Sequence, residues 1–216
     1  MLTKPFTEIR SIVLKPDGRL FEPINDLLII ITAIGNALSQ VSEGAIHLQL
    51  ENNAELVPAE FEYGIVLPTG KALRVAVAGN KPDSIEIVLS CIEQARKPFE
   101  IPSVSTNGLQ TVIMAVGQPI FLMFFERYNV WLNDNLGDAV NWPMTLNFAR
   151  VVRNAIAHGK INIRAKSAPA VTWKGLSYSH ADSGRTIIGT DLNLGDLVGL
   201  MIECDEELDR IGAPIL

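Results

Sequence analysis

From Thr106 to Asn133 the chain carries only two charged residues, Glu126 and Arg127, in a stretch dense in Val, Ile, Leu, Met and Phe. A segment this long and apolar is expected to be a helix that other protein covers on most sides, which forces the fold toward packed helices. Pro119 is expected to kink it. A membrane span is not expected. The most apolar run, Val112 to Phe125, is broken by Gly117, Gln118 and Pro119, and a span takes about 20 apolar residues. Leu27 to Ile34 is shorter still, so both runs are read as core. Apolar residues make up 48% of the 216 and charged residues 19%, which is enough to bury a full core. Surplus apolar surface also fits a subunit interface.

Other elements follow from punctuation and period. Glu8 to Leu14 reads as a strand closed by the turn Pro16-Asp17-Gly18, and Pro23 to Gln40 as a helix. Ala45 to Leu50, Glu60 to Leu67 and Ala72 to Ala78 read as strands, separated by Asn52-Asn53 and Pro68-Thr69-Gly70. Pro82 to Lys97 is expected to be an amphipathic helix stopped by Pro98 and Pro102. Gly79-Asn80-Lys81 lacks phosphate-loop spacing and reads as a turn. After a polar connection at Asn133 to Gly137, Asn141 is expected to cap a helix that runs to His158 and stops at Gly159. Val171 to Ser179 and Arg185 to Gly189 read as a hairpin joined by Asp182-Ser183-Gly184. Asn193 is expected to cap a last helix to about Arg210, with Asp196 in its first turn. The fold class is mainly α, with a small N-terminal β element and a C-terminal β-hairpin. The domains expected are an N-terminal β/α elaboration of unassigned role over residues 1–98 and a helical core with the hairpin and final helix over residues 99–216.

Net charge is −6, which by itself argues against nucleic acid. Its distribution argues for it. From Ala139 to Ala181 there is no Asp or Glu, while Arg150, Arg153, Lys160, Arg164, Lys166 and Lys174 contribute +6, so the rest of the chain carries −12. Such a segment is a local anion site unless distant carboxylates neutralise it. On a helix at about 100° per residue, Met144, Phe148, Val151, Val152, Ala155 and Ile156 form an apolar arc. Asn147, Arg150, Asn154 and His158, three, four and four residues apart, share a neighbouring face. Arg153 lies about 140° from His158 on an ideal helix, so convergence of the two needs a relaxed last turn and a reaching guanidinium. The chemistry is specific. A neutral imidazole accepts a proton near neutral pH, a guanidinium grips phosphate oxygens, and RNA supplies its own nucleophile in the 2′-hydroxyl.

Arg153-Asn154-Ala155-Ile156-Ala157-His158, followed by Gly159-Lys160 late in a core helix, resembles the motif of the HEPN superfamily: an arginine, four to six residues, then a histidine, with a polar residue directly after the arginine. The resemblance covers the motif firmly and Thr106 to Arg210 loosely; Met1 to Lys97 resembles no family. It implies a HEPN-like helical bundle, often dimeric, whose members are commonly metal-independent ribonucleases in toxin, antiviral or RNA-processing systems. It makes Arg153 and His158 catalytic and Asn154 supporting. Arg150, Asn147, Lys160 and Arg164 around them are read as substrate-binding. The function expected is a metal-independent endoribonuclease, with RNA, a second copy of the chain and an antitoxin as partners. The alternatives are a non-catalytic RNA- or nucleotide-binding module and a plain oligomeric partner-binding protein.

The remaining candidates have blander readings. Histidines 47, 158 and 180 lie far apart and the two cysteines, Cys91 and Cys204, have no partners at ligand spacing, so no metal or other cofactor is expected. Each cysteine sits in what reads as a helical pattern and is expected to be a buried free thiol. With no signal-peptide layout in Met1 to Lys15, this points to the cytoplasm. His47 reads as a solvent-facing strand residue, His180 with Tyr178 as the end of a hairpin strand, and Asp205-Glu206-Glu207 as a solvated face. Glu126-Arg127-Tyr128 is expected to be an amphipathic edge, brought near Arg150 if the two helices pack antiparallel.

Overall fold

A computed structural model describes residues 10–41, 54–56, 58–59, 62–70, 75–76, 78–91, 107–164 and 166–216. The chain divides into two compact units, Met1–Pro58 with Glu62–Thr106, and Ala59–Phe61 with Asn107–Leu216.

The first unit holds strands β1 (Arg10–Leu14), β2 (Ala54–Leu56), β3 (Tyr63–Leu67) and β4 (Ile85–Cys91) and helix α1 (Phe21–Val41). The strands form one antiparallel sheet in the order β1-β4-β3-β2. Gly18 closes the turn after β1, its N–H donating to the Lys15 carbonyl at 2.8 Å. Leu20 just before α1 and Phe21, Ile24, Leu27, Leu28 and Ile31 on it are buried, as are Ile65, Leu67, Ile85, Ile87 and Leu89 on the sheet.

Two expectations fail here. Ile85–Cys91, expected to be helix, is a central strand, and Cys91 therefore closes a strand. Ile85, Ile87 and Leu89 are buried while Glu86 is exposed, a period of two, and the β-branched residues gain from pairing on both edges. The strand expected over Ala72–Ala78 is absent from its described part: Val75 and Ala76 are helical, and Gly79 closes a turn on the Ala76 carbonyl at 2.9 Å. Ala, Leu and Arg in that run are strong helix formers, which a purely apolar reading overlooks. The expected strand Ala45–Leu50, with His47, lies outside the described residues, as does 92–97.

In the second unit α2 (Asn107–Leu136), α3 (Met144–His158) and α4 (Leu194–Arg210) pack on one another, and a two-strand hairpin, β5 (Val171–Trp173) and β6 (Leu176–Tyr178), packs on α3. The protein is thus mainly helical with small antiparallel sheets. Phe121, Phe124, Phe125, Tyr128 and Leu132 of α2 are buried, whereas Val112, Met123 and Val130 on its other face are exposed. Phe148 of α3 stacks on Tyr178 at 5.3 Å between ring centroids and tilts against Trp173 at 5.7 Å, which joins helix to hairpin. A Cβ at Gly117 would lie 2.2 Å from a Leu194 methyl, so a larger residue there requires the Leu194 side chain to move at this approach of α2 and α4.

Several boundaries differ from expectation for local reasons. α2 continues through Asn133 to Leu136 and stops at Gly137, φ +70°. Asn141 ends a short 3-10 turn rather than capping α3, because the residue before Pro143 is driven extended: Trp142 has ψ 150°. The hairpin closes on itself at Lys174-Gly175, pairing Val171 with Tyr178, since a two-residue turn closes at less entropic cost than the longer loop expected. α4 starts as expected. Asn193 accepts from the Asp196 N–H at 3.2 Å, and the fully buried Asp196 carboxylate accepts from the backbone N–H of Asn193 at 2.8 Å and of Ala59 at 3.1 Å. Asp196→Ala should therefore lower unfolding free energy in urea by about 2 kcal/mol, with Asn193→Ala costing about half as much. Equal stability of both variants and the parent would contradict this role.

Candidate functional site

α3 ends at Gly159, whose φ of +73° turns the chain back on itself. The returning strap, Ile161 to Arg164, is fixed to the turn that follows the hairpin. The Ile161 N–H donates to the Arg185 carbonyl and its own carbonyl accepts from the Gly184 N–H, both at 2.9 Å. Between helix and strap lies a cleft of about 410 Å³. Arg150, Asn154 and His158 line its helical wall, one turn apart; Asn162, Ile163, Arg164 and Ala168 line the other.

No carboxylate lines this cleft. Arg150 is half-buried, and its Nε and Nη2 both donate to Asn147 Oδ1, at 3.1 and 3.0 Å. Asn147 is itself buried. Burial pulls the Arg150 pKa below the usual guanidinium value. Among the described residues neither Arg150, Arg164, Lys160 nor Lys166 has a carboxylate partner. His158 is exposed at the helix end. The cleft thus joins two guanidinium groups, an imidazole and two amides around a concavity with positive potential, a setting that attracts anions and orients them.

Arg153 is placed elsewhere. It is ion-paired with Glu126 of α2, and its Nη1 donates to Asn154 Oδ1 at 2.8 Å. It does not line the cleft and reaches it at one remove, through Asn154. Helix geometry separates Arg153 from His158, and Glu126 takes the guanidinium that the sequence reading aimed at His158. Glu126 accordingly meets Arg153 rather than Arg150. Asn147 braces Arg150 from below, and Lys160 is exposed outside the lining.

The sequence reading missed Asn162, Ile163 and Ala168. The signal available was Gly159, a C-terminal stop that returns the chain alongside the helix it ends. His180 and Tyr178 do not line the cleft. The Tyr178 hydroxyl donates to Asp191 at 3.0 Å, and burial together with that carboxylate pushes its pKa up. Cys204 is a buried free thiol whose pKa burial raises. Asp205 and Glu207 are partly exposed and Glu206 exposed. Among the described residues no group of three or more His, Cys, Asp or Glu could hold a metal, and no helix is long and apolar enough to cross a membrane. No family model, curated protein or solved structure matches the chain.

The Arg150–Asn147 brace is open to a double-mutant cycle. Asn147→Ala, Arg150→Met and the double variant should give a coupling energy of about 1–2 kcal/mol in urea unfolding, as for hydrogen bonds to a charged group. A coupling near zero would show that Asn147 does not hold the guanidinium.

Proposed function

We propose that the cleft between α3 and the strap binds the phosphodiester backbone of RNA and cleaves it without a metal ion, as a HEPN-type endoribonuclease. One observation carries the reading: the half-buried Arg150 guanidinium, with no carboxylate partner among the described residues, lines the same cleft as the solvent-exposed His158. A desolvated charge is retained in a cleft when an anion completes it, and phosphate oxygens fit a guanidinium edge-on. The helical second unit and the motif Arg153 to His158 support a HEPN-like bundle. A cytoplasmic homodimer, with an antitoxin as neutralising partner in a toxin system, belongs to the same reading.

In this mechanism Arg150 and Arg164 hold the phosphate from opposite walls. His158 takes the proton of the ribose 2′-hydroxyl as its oxygen forms a bond to phosphorus. The bond from phosphorus to the 5′-oxygen breaks, and that oxygen leaves with a proton returned by the imidazole or by water. The products are a 2′,3′-cyclic phosphate and a 5′-hydroxyl. Arg150 stabilises the charge that grows on the phosphoryl oxygens, while Arg164 holds the phosphate equally before and during the reaction. Arg153 acts through Asn154, fixing an amide that faces the ribose.

A second reading, a non-catalytic RNA- or nucleotide-binding module, is favoured by the Glu126–Arg153 ion pair, which ties up the motif arginine. The two separate in one assay. In the first, His158→Ala slows RNA cleavage by about 10²–10⁴-fold and EDTA changes nothing. Arg150→Ala weakens both binding and cleavage, and far-ultraviolet CD is unchanged in each variant. RNA binding that weakens with salt, with no product formed by the parent protein, selects the second reading. Cleavage at the parental rate by both variants contradicts the mechanism.

A further inference from the structure

Ile163 has its backbone polar groups met by side chains instead of a strand ladder. Its N–H donates to Ser183 Oγ at 3.1 Å, and its carbonyl accepts from Ser183 Oγ at 3.1 Å and from His180 Nδ1 at 2.5 Å. A carbonyl can only accept, so Nδ1 carries the proton, and the neutral ring is the Nδ1–H tautomer. The imidazole is carried on a turn closed by its own hydrogen bonds. His180–Asp182 is a 3-10 turn in which the Asp182 carboxylate accepts from the Ser179 N–H at 2.9 Å and pairs with Arg185 at 3.2 Å.

The position of this bond matters. Ile161 is already tied by backbone hydrogen bonds to residues 184 and 185. His180 and Ser183 extend the attachment two residues further, to the point where Asn162 and Arg164 flank Ile163 and enter the cleft. The opposite wall, Arg150, Asn154 and His158, is set by the helix itself.

We propose that His180 is a positioning residue for the cleft: its Nδ1–H grips the Ile163 carbonyl and thereby holds Asn162 and Arg164 at a fixed distance from α3. The proposal rests on the reading of the cleft as a phosphate-binding site. It assigns His180 to substrate holding and leaves the proton transfer to His158 on the other wall.

The two walls make the effects separable. With a short single-stranded RNA as probe, His180→Ala should raise Kd about tenfold, the equivalent of one good hydrogen bond, while the single-turnover rate at saturating RNA stays within about twofold. His180→Asn places a donor amide at nearly the same reach as Nδ1 and should restore most of the affinity. In an Arg164→Ala background the larger part of the His180→Ala effect should vanish, because the residue being positioned is gone. Independently of RNA, His180→Ala should speed hydrogen exchange at the Ile163 amide by about tenfold, with the amides of α3 unchanged. Unchanged exchange at Ile163, or a loss of affinity that adds in full to that of Arg164→Ala, overturns the proposal. If the parent protein binds no RNA, the reading of the cleft fails on that result alone, and exchange at Ile163 still decides whether His180 holds the strap.

Discussion

The two hydrogen bonds from Arg150 to the buried Asn147 are the contact on which the site depends. A guanidinium lying half in the interior loses much of its hydration, and a neutral amide returns only part of what water gave. The bonds fix one edge of the group and leave its charge uncompensated. The fold therefore holds a preoriented cation beside a concavity, in a segment that carries no acidic residue for more than forty positions. Everything functional drawn from the structure follows from that imbalance.

The rest of the second unit serves to keep α3 where this is true. Phe148, on the far side of the helix, is clasped by Trp173 and Tyr178 of the hairpin, and Phe125 meets Trp142 just before the helix begins. Gly117 lets α2 and α4 approach closely, and the buried Asp196 fixes where α4 starts. Arg153 shows the contrast. It lies one turn from Arg150 on the same helix, yet faces Glu126 and forms an ordinary, partly exposed ion pair. Two arginines three residues apart thus have opposite electrostatic fates, because Arg153 faces Glu126 of α2 while Arg150 faces the cleft and the strap.

What the sequence made legible was local. Periodicity marked α3 and placed Asn147, Arg150, Asn154 and His158 on one face, and the Asn193–Asp196 spacing marked the start of α4. Gly159 marked the end of α3, although Asn141 was not its beginning, because Pro143 constrains the residue before it. What escaped depends on partners remote in the chain. β4 is a strand because β1 and β3 flank it, and no reading of Pro82 to Lys97 alone contains that fact. Glu126 is 27 residues from Arg153, and the strap is held by residues 180 to 185. Convergence of Arg153 with His158 was the expectation most exposed to this weakness, since it asked five residues of helix to bend toward each other.

The central claim is that Arg150 and Arg164, and not Arg153, meet the ligand. Nitrogen-15 NMR of the arginine Nε–Hε groups during titration with a 2′-O-methylated RNA, which offers phosphates but no nucleophile, tests it most directly. The account predicts progressive shifts at Arg150 and Arg164 while Arg153 stays in its ion pair with Glu126. Shifts confined to Arg153, or none at any arginine while the RNA is demonstrably bound, would contradict it.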